Sequence, residues 1–132
     1  MPGSRTLRIA LIQHAAPKDG PSAALAHVSD TLADAAAGGA QLAVTQELFT
    51  GPYFPQSESE QAFALAEPIP GPTTDFLADQ ARQHRLDIAA SLFEQRSAGL
   101  CHNSFVMINT HGELVSHYRK MHIPHDPGFR EK

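Results

Sequence analysis

Two short apolar runs, separated by one helix-length segment, set the first constraint on this chain. Leu7-Arg-Ile-Ala-Leu-Ile-Gln13 and Gln41-Leu-Ala-Val-Thr-Gln46 are each long enough for a buried strand and too short for a buried helix. Between them, Leu25, Val28, Leu32, Ala35 and Ala36 recur at helical spacing, and Gly38-Gly39 supplies a stop. Asp19-Gly-Pro-Ser22 offers a turn, with Ser22 as the expected N-cap of a helix over 23–37. Strand, helix, strand in that order predicts a crossover that lays the two strands parallel in one sheet.

The rest of the chain extends this sheet. Thr50 to Gly71 is irregular and rich in Pro and Gly, with one or two helical turns expected over 58–66. Thr73 or Thr74 is the expected cap of a second helix running to about His84. Leu86 to Phe93 reads as a third strand and Glu94 to Gly99 as a polar turn. Cys101 to Asn109 reads as a fourth strand, and Thr110-His-Gly-Glu113 as a hairpin turn into a fifth, Leu114 to Arg119. The order β-α-β-loop-α-β-β-β defines an α/β fold with a mixed sheet.

Composition excludes several classes. Apolar residues are 42% and charged residues 18% of 132, which suits a packed core rather than a disordered chain. A net charge of −4, with both signs scattered, gives no nucleic-acid footprint. The segment before Ala16 is too short and too interrupted for a membrane span and poor as a signal peptide. The single cysteine, Cys101, has no internal disulfide partner, so a cytoplasmic location is expected.

Functional groups in open α/β sheets collect at the carboxyl ends of strands. Glu47 stands there after the second strand, where apolar walls would equip it as a general base; a solvated strand-end glutamate is the plainer reading. Lys120 stands at the end of the fifth strand, suited to steady a developing oxyanion or simply to reach solvent. Tyr53 and Phe54, in the long loop, fit either a substrate wall or packing against the sheet. His122, His125 and Asp126, with His111 and His117 nearby, are of zinc-ligand type, but Pro124 prevents a helix from aligning them and no metal is assigned. Cys101, on the fourth strand, is read as a small buried hydrophobe.

Gln46-Glu-Leu-Phe-Thr-Gly-Pro-Tyr-Phe54, Ala66-Glu-Pro68, Ser91-Leu-Phe-Glu94, His102-Asn-Ser104 and Tyr118-Arg-Lys-Met-His-Ile-Pro124 occur in that order. From about Leu7 to Lys132 the chain resembles the carbon–nitrogen hydrolase (nitrilase-like) superfamily, and within it most closely the N-carbamoylputrescine amidases. The resemblance implies a four-layer αββα sandwich, of which residues 1–132 would form the N-terminal part. It also implies a Glu–Lys–Cys triad in which Glu47 is the general base and Lys120 the oxyanion-stabilising lysine. Glu131 matches a second glutamate that many members place near the lysine, and no cofactor is implied. The family's cysteine, in a Cys-Trp-Asp-like context, has no match here, and the sequence contains no Trp. Pro55 stands where close relatives often carry cysteine, and His125-Asp126 replaces the usual Asp-Gly.

The resulting expectation is a small-molecule amidohydrolase that releases putrescine, CO2 and ammonia from N-carbamoylputrescine. A β-ureidopropionase-like or other aliphatic amidase is the alternative. The chain alone is expected to be inactive, as a truncated fragment or as one half that needs a complementing C-terminal half; relatives also commonly form homo-oligomers. Half a sandwich would expose one sheet face and its edges.

Overall fold

The computed structural model describes residues 5–56, 60–126 and 129–130. Among them, five strands form one sheet in the order β1-β2-β3-β4-β5: β1 Ile9–Ile12, β2 Leu42–Thr45, β3 Asp87–Ser97, β4 Leu100–Ile108 and β5 Leu114–Arg119. The first three run parallel, with Ile9 beside Leu42 and Leu42 beside Asp87. β3 to β5 form an antiparallel meander, with Phe93 beside Asn103 and Ser104 beside Arg119. A separate small ribbon pairs β6, His125–Asp126, with β7, Phe129–Arg130.

Two helices, α1 Pro21–Ala37 and α2 Pro72–His84, cover one face of the main sheet. Strand alternation brings Ile12, Ala43, Ile88, Ala90, Leu92, Val106 and Ile108 to that face. There they pack against Val28 and Leu32 of α1 and Leu77 and Ala81 of α2. The intervening residues point to the other face, where Ile9, Leu11, Phe105 and Tyr118 remain exposed.

Both helices begin earlier than the capping signals predict. Gly20 caps α1 with Pro21 in the first turn, and Gly71 caps α2 with Pro72 in its first turn. Proline suits those places because its missing N–H would have no partner within the helix. Ser22 therefore lies inside the first turn of α1. Thr74 works from inside α2: its Oγ1 accepts the Gly71 N–H at 2.7 Å and donates to the Gly71 carbonyl at 2.9 Å. Thr73 donates its backbone N–H to the Glu67 carboxylate at 3.1 Å, which ties the long loop to the helix start. Within that loop, 3₁₀ turns occupy Phe54–Gln56 and Glu60–Leu65.

The expected polar turn over Glu94–Gly99 is replaced by strand. β3 continues to Ser97, and the chain reverses at Ala98-Gly99, with Gly99 at φ 74°. Glu94 thus lies inside the sheet and is buried.

Candidate active site

Glu47 follows β2 by two residues, at its carboxyl end. The next residue, Leu48, has φ 49°, a left-handed conformation that is costly for a leucine. This sharp turn sends Leu48 and Phe49 into the interior while Glu47 remains 44% exposed. Lys120, directly after β5, places Nζ 3.0 Å from Glu47 Oε1. Asn103, on β4, donates its side-chain N–H to the same oxygen at 2.7 Å. Lys120 is fastened to β4 as well, since its backbone N–H donates to the Asn103 carbonyl at 2.9 Å.

Behind Asn103 lies Ser91 of β3. Ser91 Oγ accepts the Leu48 N–H at 3.1 Å and donates to Asn103 Oδ1 at 3.3 Å. The sheet thus brings Glu47 and Lys120 together across 73 residues of sequence and adds two residues, Ser91 and Asn103, that the sequence reading did not assign roles. Both lie within motifs quoted for the resemblance, which was the available signal.

On the opposite face, one step along the same strands, sits a second carboxylate. Glu94 is 2% exposed and takes a two-pronged contact from Arg119, at 2.6 and 2.8 Å. Ser104 Oγ donates to it at 2.6 Å, and His117 Nε2 lies at 3.0 Å. Burial pushes the Glu94 carboxyl upward, but the hydrogen bonds from Arg119, Ser104 and His117 outweigh it and hold the group down at about 2.

The remaining candidates are more scattered. Phe54 stacks on Phe93 with ring centroids 4.7 Å apart and also lines a cavity of about 300 Å³ with Leu48, Leu65, Glu67 and Leu92. Tyr53 is half-buried and is not among that cavity's lining. Glu131 lies outside the described residues. Cys101 is only partly buried, not fully as expected, because it sits near the β3–β4 turn; burial pushes its thiol up, away from thiolate formation. Among the described residues, no three His, Cys, Asp or Glu side chains form a group able to hold a metal ion. No described helix is long and apolar enough to cross a membrane.

A carboxylate and an ammonium at the carboxyl ends of β2 and β5, open to one side, form a pair that can exchange a proton and bind a developing negative charge. The sequence profile of the carbon–nitrogen hydrolase family matches residues 8–132, and the chain belongs to that family. Over 95 residues it is 39% identical to the N-carbamoylputrescine amidase of Solanum lycopersicum, a match covering 71% of this chain and 31% of that one. Citrullinase of Francisella tularensis is 32% identical over 127 residues, covering 96% of this chain and 44% of the relative. Among solved structures, a carbon–nitrogen hydrolase from Helicobacter pylori superposes with a TM-score of 0.87 at 36% identity, covering 93% of this chain and 42% of that one. The chain therefore spans between about a third and a half of the length of these proteins.

Proposed function

We propose that these 132 residues are the N-terminal portion of one carbon–nitrogen hydrolase domain, a cytoplasmic amidohydrolase that removes a carbamoyl group from an amine. N-carbamoylputrescine is the favoured substrate, hydrolysed with one water to putrescine, CO2 and ammonia in polyamine biosynthesis. The observation that carries this reading is the Glu47–Lys120 contact of 3.0 Å at adjoining strand ends. Glu47 takes a proton from a cysteine thiol, the thiolate attacks the carbamoyl carbon, and Lys120 stabilises the oxyanion. Collapse expels one urea nitrogen, which takes the proton held by Glu47, and leaves an S-thiocarbamate. Glu47 then helps water cleave it to a carbamate, which loses CO2 and frees the second nitrogen. Glu131 supports the lysine, and Tyr53 and Phe54 wall the substrate. The family cysteine has no counterpart in this sequence, so the 132-residue chain by itself is inactive, whether as a fragment or beside a complementing half.

Similarity to a citrullinase supports a ureido group as the recognised element and leaves the amine side less constrained. The deciding assay compares ammonia release from N-carbamoylputrescine, citrulline, N-carbamoyl-β-alanine and simple amides by the complete polypeptide its gene encodes. Preference for the first, with a loss on the order of 10³-fold in Glu47→Gln, supports the proposal. Equal rates on all four would sink the substrate assignment. Activity of the 132-residue chain alone that vanishes in Cys101→Ser, with the fold intact, would overturn the placement of the nucleophile.

A further inference from the structure

Glu47 is held by an arrangement more specific than a surface ion pair. Both of its hydrogen bonds end on Oε1, from Asn103 at 2.7 Å and Lys120 at 3.0 Å; among the described residues Oε2 receives none. The polarity of the Asn103 amide is fixed from behind. Ser91 has a single hydroxyl proton, and its oxygen already accepts the Leu48 N–H. That proton points to Asn103 Oδ1, so the amide turns its NH2 toward Glu47. The bonds close a ring that leaves the backbone at Leu48, passes through Ser91 and Asn103, and returns to the side chain of Glu47, the preceding residue. The same ring braces the strained left-handed turn at Leu48.

An exposed carboxylate facing one lysine would sample several rotamers, because such pairs gain little from a fixed geometry. Two donors on one oxygen, one of them locked to β3 and β4, select one rotamer and one oxygen. We propose that Ser91 and Asn103 are positioning residues that anchor Glu47 through Oε1 and thereby dedicate Oε2 to proton transfer. This rests on the amidohydrolase reading for its catalytic meaning, but the anchoring itself can be observed without turnover.

The test is nuclear magnetic resonance of the nitrogen-15-labelled chain, following the Asn103 side-chain NH2 pair. Arg119 Nε–H, on the far face, reports whether the fold is intact. Glu47→Gln and Ser91→Ala are each expected to move the Asn103 pair toward the position of a solvent-exposed amide while Arg119 stays in place. An Asn103 pair indifferent to Ser91→Ala, with Arg119 unchanged, overturns the anchoring. If Ser91→Ala disturbs Arg119 too, Ser91→Thr decides: the retained hydroxyl must keep the Asn103 signal, and its loss overturns the proposal. In the complete enzyme, Ser91→Ala should lower kcat on the order of 10- to 100-fold with KM little changed, and Ser91→Thr should restore much of it. A lost Asn103 signal with unaltered kcat would refute the catalytic role, whereas an anchored Glu47 in a protein without amidase activity would refute the function and leave the anchoring standing.

Discussion

Glu47 and Glu94 occupy opposite faces of one sheet and are served by neighbouring residues of the same strands. On β4, Asn103 bonds Glu47 and Ser104 bonds Glu94; just beyond, Lys120 meets Glu47 and Arg119 meets Glu94. The difference lies in what surrounds them. Glu94 is 2% exposed and both its oxygens are occupied, whereas Glu47 is 44% exposed and, among the described residues, bonded through one oxygen. A strongly displaced carboxyl is commonly taken as a sign of chemistry. Here the displaced group, Glu94, is sealed within the sheet and has no room for a substrate.

The largest expected effect is on stability at the sealed site. Arg119→Ala leaves the buried Glu94 carboxylate without its guanidinium, and Glu94→Ala strips buried Ser104 of its acceptor. Either should cost about 3–5 kcal/mol in urea unfolding, against less than about 1 kcal/mol for Glu47→Ala. Equal costs at the two glutamates would erase the contrast.

Acid should act next, at the sealed site. The Glu94 carboxyl is lowered in the fold, from 4.5 to about 2, so its contribution is complete above the ordinary range and disappears as pH falls toward about 2. That contribution is on the order of 3 kcal/mol. Unfolding free energy measured down that range should drop in the wild type and fall much less steeply in Glu94→Gln. Parallel curves for the two proteins would show that the cluster is not what acid attacks.

The smallest effect concerns the exposed pair. A double-mutant cycle on Glu47 and Lys120 should give a coupling of about 0.2–1 kcal/mol, shrinking as NaCl is raised to about 1 M. A coupling that persists in salt would mean that the pair is shielded like Glu94 and Arg119.

Much of the fold was legible because apolar runs and helical spacing are local properties. The succession of elements and the mixed sheet followed from Leu7–Gln13, Gln41–Gln46 and the segments around Cys101 and Tyr118, while the order of strands across the sheet is seen only in the fold. The helix starts did not, since Gly-Pro at 20–21 and 71–72 competes with nearby Ser and Thr, and only the backbone decides which residue caps. Glu94 was lost to the turn because a charge after Leu92-Phe93 normally marks a strand's exit. Its neutralising partners, Ser104, His117 and Arg119, come from two later strands. Glu47 and Lys120 were singled out by strand-end position and made specific by resemblance, while Asn103 and Ser91 acquire meaning only through the hydrogen bonds that cross β3 and β4.

The placement of Arg119 and Lys120 side by side also constrains how this sequence can change. Because strand neighbours face opposite ways, losing one residue from the hairpin at Thr110–Glu113 with β5 paired one step out of place would put Lys120 where Arg119 meets Glu94, and Met121 where Lys120 meets Glu47. Composition, charge and apolar content would barely alter, yet Glu94 would exchange its guanidinium for an ammonium and Glu47 would lose its cation. Length variation in that hairpin is therefore restricted by parity: two-residue changes conserve the facing of both cations, and single-residue changes reverse it.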